Sequence, residues 1–251
     1  MKQLRALWRL LWVVAGILGG IWTIRTRFGR YTEAQRQKAV QEWSRRMLQR
    51  MGVQLVVQGQ PPATGPVLVV SNHISWLDIL VINAARPCRF VSKADVKHWP
   101  VVGRLVEGSG TLFIERERRR DAMRVVHHLA ERLQAGDVLA VFPEGTTGDG
   151  KQVLPFHANL LQAAIVTQQP VQALGLAYRY AGRNLPHPAP VYIGDDTLVA
   201  SVWRTLCAND LQAVLRFAEP EIAQGRDRRQ WAEDLRQHIG AMLVWPAADA
   251  A

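Results

Sequence analysis

The chain predicts an α/β fold, a largely parallel sheet flanked by helices, preceded by a membrane-attaching helical segment. Three observations carry this. From Val53 onward, short apolar and β-branched runs alternate with stretches of helical periodicity, the pattern of strand–helix–strand units. Several of those runs end in polar residues, and open α/β sheets hold ligands just past the carboxyl ends of their strands. Ahead of Val53 the pattern is helical and strongly basic. The 251 residues suffice for one α/β domain plus an appendage, and at 48% apolar they can fill a core.

The charge is unevenly placed. Residues 1–50 hold 11 of the 31 Lys and Arg but only 2 of the 21 Asp and Glu, so nearly all of the net +10 belongs to the N-terminus. A basic chain ordinarily points to nucleic acid. Here the charge adjoins an apolar segment, which fits an anionic membrane surface instead, and no nucleic-acid partner is expected. Cys88 and Cys207 form no CxxC pair, so a reducing, cytosolic setting is expected rather than a disulfide framework.

Leu10 to Ile24 is uncharged. At ~1.5 Å per residue it reaches about 22 Å, short of a ~30 Å hydrocarbon core. Extended back to Leu4 it includes Arg5 and Arg9, which can snorkel. Trp8, Trp12 and Trp22 suit an interface. Basic residues flank both ends, so charge does not choose an orientation. No small-x-small site marks a cleaved signal peptide. Gly16-x-x-x-Gly20 reads either as a helix-packing face or as composition. A second helix follows, capped by Thr32 with Gln35 three residues on and ended by Gly52. Its stripe of Val40, Trp43, Met47 and Met51 is expected to face lipid. Residues 1–52 are thus expected to attach the chain to the membrane, and residues 53–251 to form the functional domain.

In the latter, strands are expected at Val53–Val57, Val67–Val70, Arg89–Ser92, Thr111–Glu115, Val138–Phe142, Val171–Tyr178 and Ala213–Ala218. Helices are expected at Ser75–Ala85, Asp121–Ala135, Phe156–Gln168, Val199–Cys207 and Arg228–Leu243. Asn184–Pro190 reads as a surface loop.

The join after the second strand carries His73 and, five residues on, Asp78. On one continuous helix that spacing would put the side chains ~140° apart. With His73 in the turn before the helix, Ser75 as N-cap and Asp78 in the first turn, the carboxylate can reach back to the imidazole. It would hold one ring nitrogen and leave the other to accept a proton. Taken alone, Ser75-x-x-Asp78 is better explained as a capping box. Two further blocks stand beside it: Gly110 through Arg116, and Phe142-Pro143-Glu144-Gly145-Thr146. Each places polar groups at the end of an expected strand. Arg116 offers a planar donor fork for an anionic group, or else opens a solvated basic run.

The order and spacing of these blocks resemble the phospholipid/glycerol acyltransferase family, which includes the 1-acyl-sn-glycerol-3-phosphate acyltransferases. Asn72-His73-x-x-x-x-Asp78 is similar to its catalytic block, Gly110–Arg116 to its second, and Phe142–Thr146 to its third. Lys93 and Pro100-x-x-Gly103 fit the intervening pattern, and the strand from Pro170 resembles the fourth block. The resemblance covers Val53 to Tyr178. The chain departs from the pattern at Thr147, where arginine is frequent, and at His157, Asn159 and Ala173. Glu144 to Gly150 is similar to the run in lyso-ornithine lipid acyltransferases, whose acceptors carry amino-acid head groups.

The resemblance implies a lysolipid O-acyltransferase, foremost of the 1-acyl-sn-glycerol-3-phosphate type, with lyso-ornithine lipid or another lysophospholipid as the alternative acceptor. It implies His73 as general base and Asp78 as the residue that orients it. Asn72, Lys93, Gly110, Arg116, Glu144, Gly145 and Thr146 would bind substrate. Acyl-CoA or an acyl carrier protein would be co-substrate, with no metal and no further cofactor. The expected location is the cytoplasmic face of the inner membrane. Other classes are weaker. Gly145-x4-Gly150-Lys151 nearly matches a phosphate-binding loop, but Gln152 replaces the Ser or Thr that would hold magnesium. A non-catalytic membrane adaptor would share the fold. No Gly-x-Ser-x-Gly marks a serine hydrolase, and adjacent His127 and His128 point to different faces of a helix.

Overall fold

The computed structural model describes residues 1–93, 102–108, 110–114 and 119–244. The elements run α1 (Lys2–Arg27), α2 (Glu33–Met51), β1 (Val53–Gln58), β2 (Val67–Ser71), α3 (Asp78–Ala85), β3 (Arg89–Lys93), α4 (Val102–Gly108), β4 (Leu112–Ile114), α5 (Arg119–Gln134), β5 (Val138–Val141), α6 (Gln162–Thr167), β6 (Val171–Tyr180), α7 (Leu198–Cys207), β7 (Leu211–Phe217) and α8 (Arg228–Leu243).

The strands form one sheet in the order β1-β7-β6-β2-β5-β3-β4. Five of them run parallel: β6, β2, β5, β3 and β4. β7 pairs antiparallel to β6, and β1 runs with β7, so the first and last strands are reversed. The carboxyl ends of the five parallel strands therefore share one edge. Every residue of β2 and β5 is buried, as expected of parallel strands covered on both faces. Their side chains alternate between two cores. Val67, Val69, Val138 and Ala140 face the core shared with α1, α2 and α3. Leu68, Val70, Leu139 and Val141 face the core shared with α5, α6 and α8.

The cap of α2 is as its sequence reads. Thr32 Oγ1 accepts from the Gln35 N–H, Gln35 Oε1 accepts from the Thr32 N–H, and Gly52 closes the helix at φ +74°. Its apolar stripe does not face lipid, however. Met47, Leu48 and Met51 are buried in the protein core. Nor does Arg9 snorkel: Nη1 donates to the carbonyls of Leu206 and Ala208 at the end of α7.

The Gly16-x-x-x-Gly20 pair is a packing face. Both glycines are buried, and Trp43 Nε1 donates to the Gly16 carbonyl at 2.9 Å. A Cβ on Gly16 would lie 2.5 Å from Met47 Sδ. Small residues thus let α1 approach α2 closely. The opposite face of α1 carries Leu4, Trp8, Leu11, Leu18 and Trp22, each more than half exposed.

Two expected helices are shorter than their sequence patterns. α3 begins at Asp78, not Ser75, because residues 74–77 form a turn around the Asp78 carboxylate. In the Phe156–Gln168 stretch, His157 is extended and its N–H donates to the Pro143 carbonyl. The chain then takes a 3-10 turn at Ala158–Leu161 before α6. α4 lies outside the stretches expected to be helical.

Candidate active site

The site is built where β2 leaves the sheet. The last β2–β6 pair is Ser71 with Leu174. Asn72 then continues the ladder with its side chain: Nδ2 donates to the Leu176 carbonyl at 2.9 Å, and Oδ1 accepts from the Leu176 N–H at 2.8 Å. The backbone is freed to turn, and His73 is the first residue of the loop so formed.

That loop wraps the Asp78 carboxylate, which is fully buried. Oδ2 lies 2.7 Å from His73 Nδ1. It also accepts from the N–H groups of Ile74 at 2.7 Å and Ser75 at 3.0 Å. Oδ1 accepts from the Tyr178 hydroxyl at 2.7 Å. An oxygen pair receiving so many donors behaves as an ionised carboxylate, so Nδ1 of His73 must be the protonated nitrogen. Nε2 is then the acceptor, and among the described residues nothing hydrogen-bonds it. The His73 side chain keeps 20% of its exposure while Asp78 has none. A partly exposed imidazole whose tautomer is fixed by a buried acid can take a proton from a hydroxyl.

The turn after β5 holds the other side of His73. Phe142 lies flat against the imidazole, 4.0 Å between ring centres and 10° between planes. Glu144 is buried; its Oε1 accepts from the His73 N–H at 2.7 Å and its Oε2 from the Leu154 N–H at 3.0 Å. Burial raises its pKa above the ordinary 4.5, and those backbone donors only partly offset the rise. Gly145 turns the chain at φ +70°, in the left-handed region that favours glycine. The Gly148 N–H donates to the His73 carbonyl at 2.8 Å.

A third segment closes the loop. The Tyr192 N–H donates to the Ile74 carbonyl at 3.1 Å, and the Thr147 hydroxyl donates to the Tyr192 carbonyl. Trp76 Nε1 donates to Ser201 Oγ on α7 at 3.1 Å.

Of the residues singled out by sequence, the structure brings together Asn72, His73, Asp78, Glu144, Gly145 and Thr146 at the carboxyl ends of β2 and β5. Lys93 ends β3 on the same edge. Gly110 does not join them: it precedes β4, at the amino edge of the sheet, where a Cβ would meet Arg89 Nη1 at 2.2 Å. Arg116 lies outside the described residues. Asn72 and Glu144 spend their polar atoms on backbone groups of the protein, so they are placed to shape the loop rather than to meet a substrate. Thr146 is exposed beside them.

The phosphate-loop reading of Gly145 to Lys151 fails on geometry. No helix follows Lys151 before the 3-10 turn at Ala158, whereas phosphate cradling needs a helix N-terminus at that point. His127 and His128 are exposed on α5, each within ion-pair distance of Glu131.

Sequence reading missed Phe142 as a neighbour of the histidine, Tyr178 as a partner of Asp78, and the Tyr192 segment altogether. One signal for Tyr178 was present. It is a phenol in an expected strand of a largely parallel sheet, such strands are buried on both faces, and a buried tyrosine hydroxyl ordinarily has a partner.

Residues 52–177 match the family model described as Acyltransferase. The lyso-ornithine lipid O-acyltransferase of Pseudomonas aeruginosa is 36% identical over 243 residues, which cover 96% of this chain and 93% of that protein. The 1-acyl-sn-glycerol-3-phosphate acyltransferase of Neisseria meningitidis serogroup B is 34% identical over 213 residues, 83% of this chain and 82% of that one. The crystal structure of the 1-acyl-sn-glycerophosphate acyltransferase from Thermotoga maritima superposes with a TM-score of 0.66 at 21% identity, covering 98% of this chain and 100% of that one. That last likeness is one of fold.

Proposed function

The chain belongs to the acyltransferase family, and from this premise we propose that it transfers a fatty acyl group from a thioester to the free hydroxyl of a lysolipid at a membrane surface. The observation that carries the reading is the His73–Asp78 pair, with Nδ1 held by the carboxylate and the imidazole side chain retaining 20% of its exposure. In the reaction His73 Nε2 takes the hydroxyl proton as the oxygen attacks the thioester carbonyl. The C–O bond forms, the C–S bond breaks, and the proton passes from Nε2 to the departing thiolate. Asp78 stays ionised throughout and stabilises the imidazolium formed in between. The donor is acyl-CoA or an acyl carrier protein.

The acceptor we favour carries an amino-acid head group, as lyso-ornithine lipid does. The near full-length similarity to the Pseudomonas aeruginosa protein supports it. So does the turn after Glu144. Thr147 stands where a phosphate-binding arginine is frequent, its hydroxyl is engaged by Tyr192, and Lys151 lies 3.7 Å from Asp149. A lysophosphatidate acceptor is the second reading, supported by the Neisseria meningitidis relative.

Membrane attachment rests on α1. One stripe packs on the protein from Ala6 to Gly20 while the opposite apolar stripe is exposed. A helix so held along its length lies flat in one leaflet.

The test is acyl transfer by the purified protein in vesicles, with lyso-ornithine lipid, lysophosphatidate and zwitterionic lysophospholipids offered in turn. Activity on at least one is expected, and His73→Ala should lower it by at least about 10²-fold, as general-base removal does. Undiminished activity in His73→Ala overturns the mechanism. A preference for lysophosphatidate decides for the second acceptor.

A further inference from the structure

We propose that Tyr178 is a positioning residue of the acyl-transfer site, acting on His73 through Asp78. The inference rests on the general-base reading of His73.

Asp78 has two carboxylate oxygens with different work. Oδ2 gathers His73 Nδ1 and the two loop N–H groups. Oδ1 receives the Tyr178 hydroxyl at 2.7 Å, and both residues are buried, Tyr178 with 4% exposure and Asp78 with none. Without that hydroxyl, Oδ1 would lose the donor recorded for it inside the protein, and the carboxylate could rotate about its own axis.

Tyr178 is well suited to hold it. Its backbone lies in the β6–β7 ladder opposite Ala213, and its carbonyl also accepts from the His187 N–H. Two residues earlier on the same strand, Leu176 grips the Asn72 amide at both ends. β6 therefore fixes the loop twice. Its Leu176 backbone sets where the loop leaves the sheet, and its Tyr178 phenol sets the orientation of the acid at the far end. His73 lies between the two holds.

The electrostatic consequence follows from sharing. A hydrogen bond at Oδ1 disperses the Asp78 charge, so Oδ2 attracts the His73 proton less strongly. Burial and the neighbouring Asp78 raise the phenol's own pKa well above its ordinary 10, so it remains a donor across the working range of pH. Among the described residues, the titratable groups facing Asp78 are His73 from its own loop and Tyr178 from β6. Glu144 faces it across the His73 backbone, from the turn after β5.

The experiment is Tyr178→Phe, assayed with whichever lysolipid the wild type acylates, beside Tyr180→Phe as a control two residues along the strand. Tyr178→Phe should lower kcat about tenfold, with the acceptor KM changed by less than about twofold. The acid limb of its kcat profile should move to higher pH, because the undivided Asp78 charge holds the imidazolium proton more tightly. In an Asp78→Asn background the same change should add less than about twofold, since residues acting as a unit are not additive. Tyr180→Phe should leave rate and profile alone. An unchanged rate in Tyr178→Phe overturns the proposal. A lower rate with an unmoved acid limb also overturns it, because partial unfolding removes active enzyme without altering its titration. Loss of activity in His73→Ala, with Tyr178→Phe behaving as wild type, sinks this inference and spares the general-base reading; activity surviving in His73→Ala sinks both.

Discussion

The Phe142 ring is stacked on the His73 imidazole, 4.0 Å between centres and within 10° of parallel. With Asp78 gripping Nδ1 from the edge, the ring can neither tip nor turn. An aromatic face also favours a cation above it, by about 0.5–2 kcal/mol, and in the proposed reaction His73 becomes a cation as the hydroxyl proton arrives. Phe142→Leu is expected to lower kcat about tenfold while leaving the acceptor KM within about twofold, because the contact matters most when the imidazolium is present. Phe142→Tyr, which keeps the face, should retain most of the activity. Steady-state kinetics on the two variants check this; full kcat in Phe142→Leu would show that the stack is only packing.

Glu144 gives a prediction in pH. Its folded pKa is raised above the ordinary 4.5, chiefly by burial, so the folded protein holds its proton more tightly than the unfolded chain. The corresponding contribution to stability is full below about 4.5 and lost as pH rises through the folded value. Glu144→Gln has no such titration, although its amide turns one acceptor into a donor facing an N–H. The wild type's advantage in Tm over Glu144→Gln should therefore shrink as the buffer is taken from about pH 4 toward 7. Thermal unfolding at a series of pH values measures it. A difference that stays constant or grows with pH would mean that the carboxylate is comfortable ionised, and that its backbone donors outweigh its burial.

The parts of this site that were legible in the sequence are those written by local rules. The alternation of strand and helix, the Thr32 cap and the reach from His73 to Asp78 each depend on residues close together in the chain. Gly110 was misplaced because a motif marks a stretch of chain, not an end of a strand. Its block begins at the amino edge, and the described part of it ends with β4 at Ile114. Glu144 and Asn72 read as substrate contacts because both are polar and lie in recognisable blocks, and nothing local revealed that backbone N–H and carbonyl groups would claim their side chains. Tyr178 and Tyr192 contribute over separations of 100 residues and more, through a sheet order that sequence patterns do not specify. The lipid-facing reading of α2 failed for a related reason. An apolar stripe records that something covers it, and here the cover is the protein itself.

The two glycines three apart on α1 separate that packing from the exposed side of the helix. Gly16 faces α2, where an added Cβ would come within 2.2 Å of Arg50 Nη1 and 2.5 Å of Met47 Sδ. Gly19 points away, with nothing within 4 Å. Gly19→Ala should therefore be neutral, or stabilising by up to about 1 kcal/mol through helix propensity. Gly16→Leu should wedge the helices apart and cost about 1–3 kcal/mol of overpacking, and it should also disturb the Trp43 hydrogen bond to the Gly16 carbonyl. Unfolding in detergent micelles ranks the two variants. If α1 instead left the protein to cross a bilayer alone, Gly16 would have no neighbour to clash with, and Gly16→Leu would carry no overpacking cost.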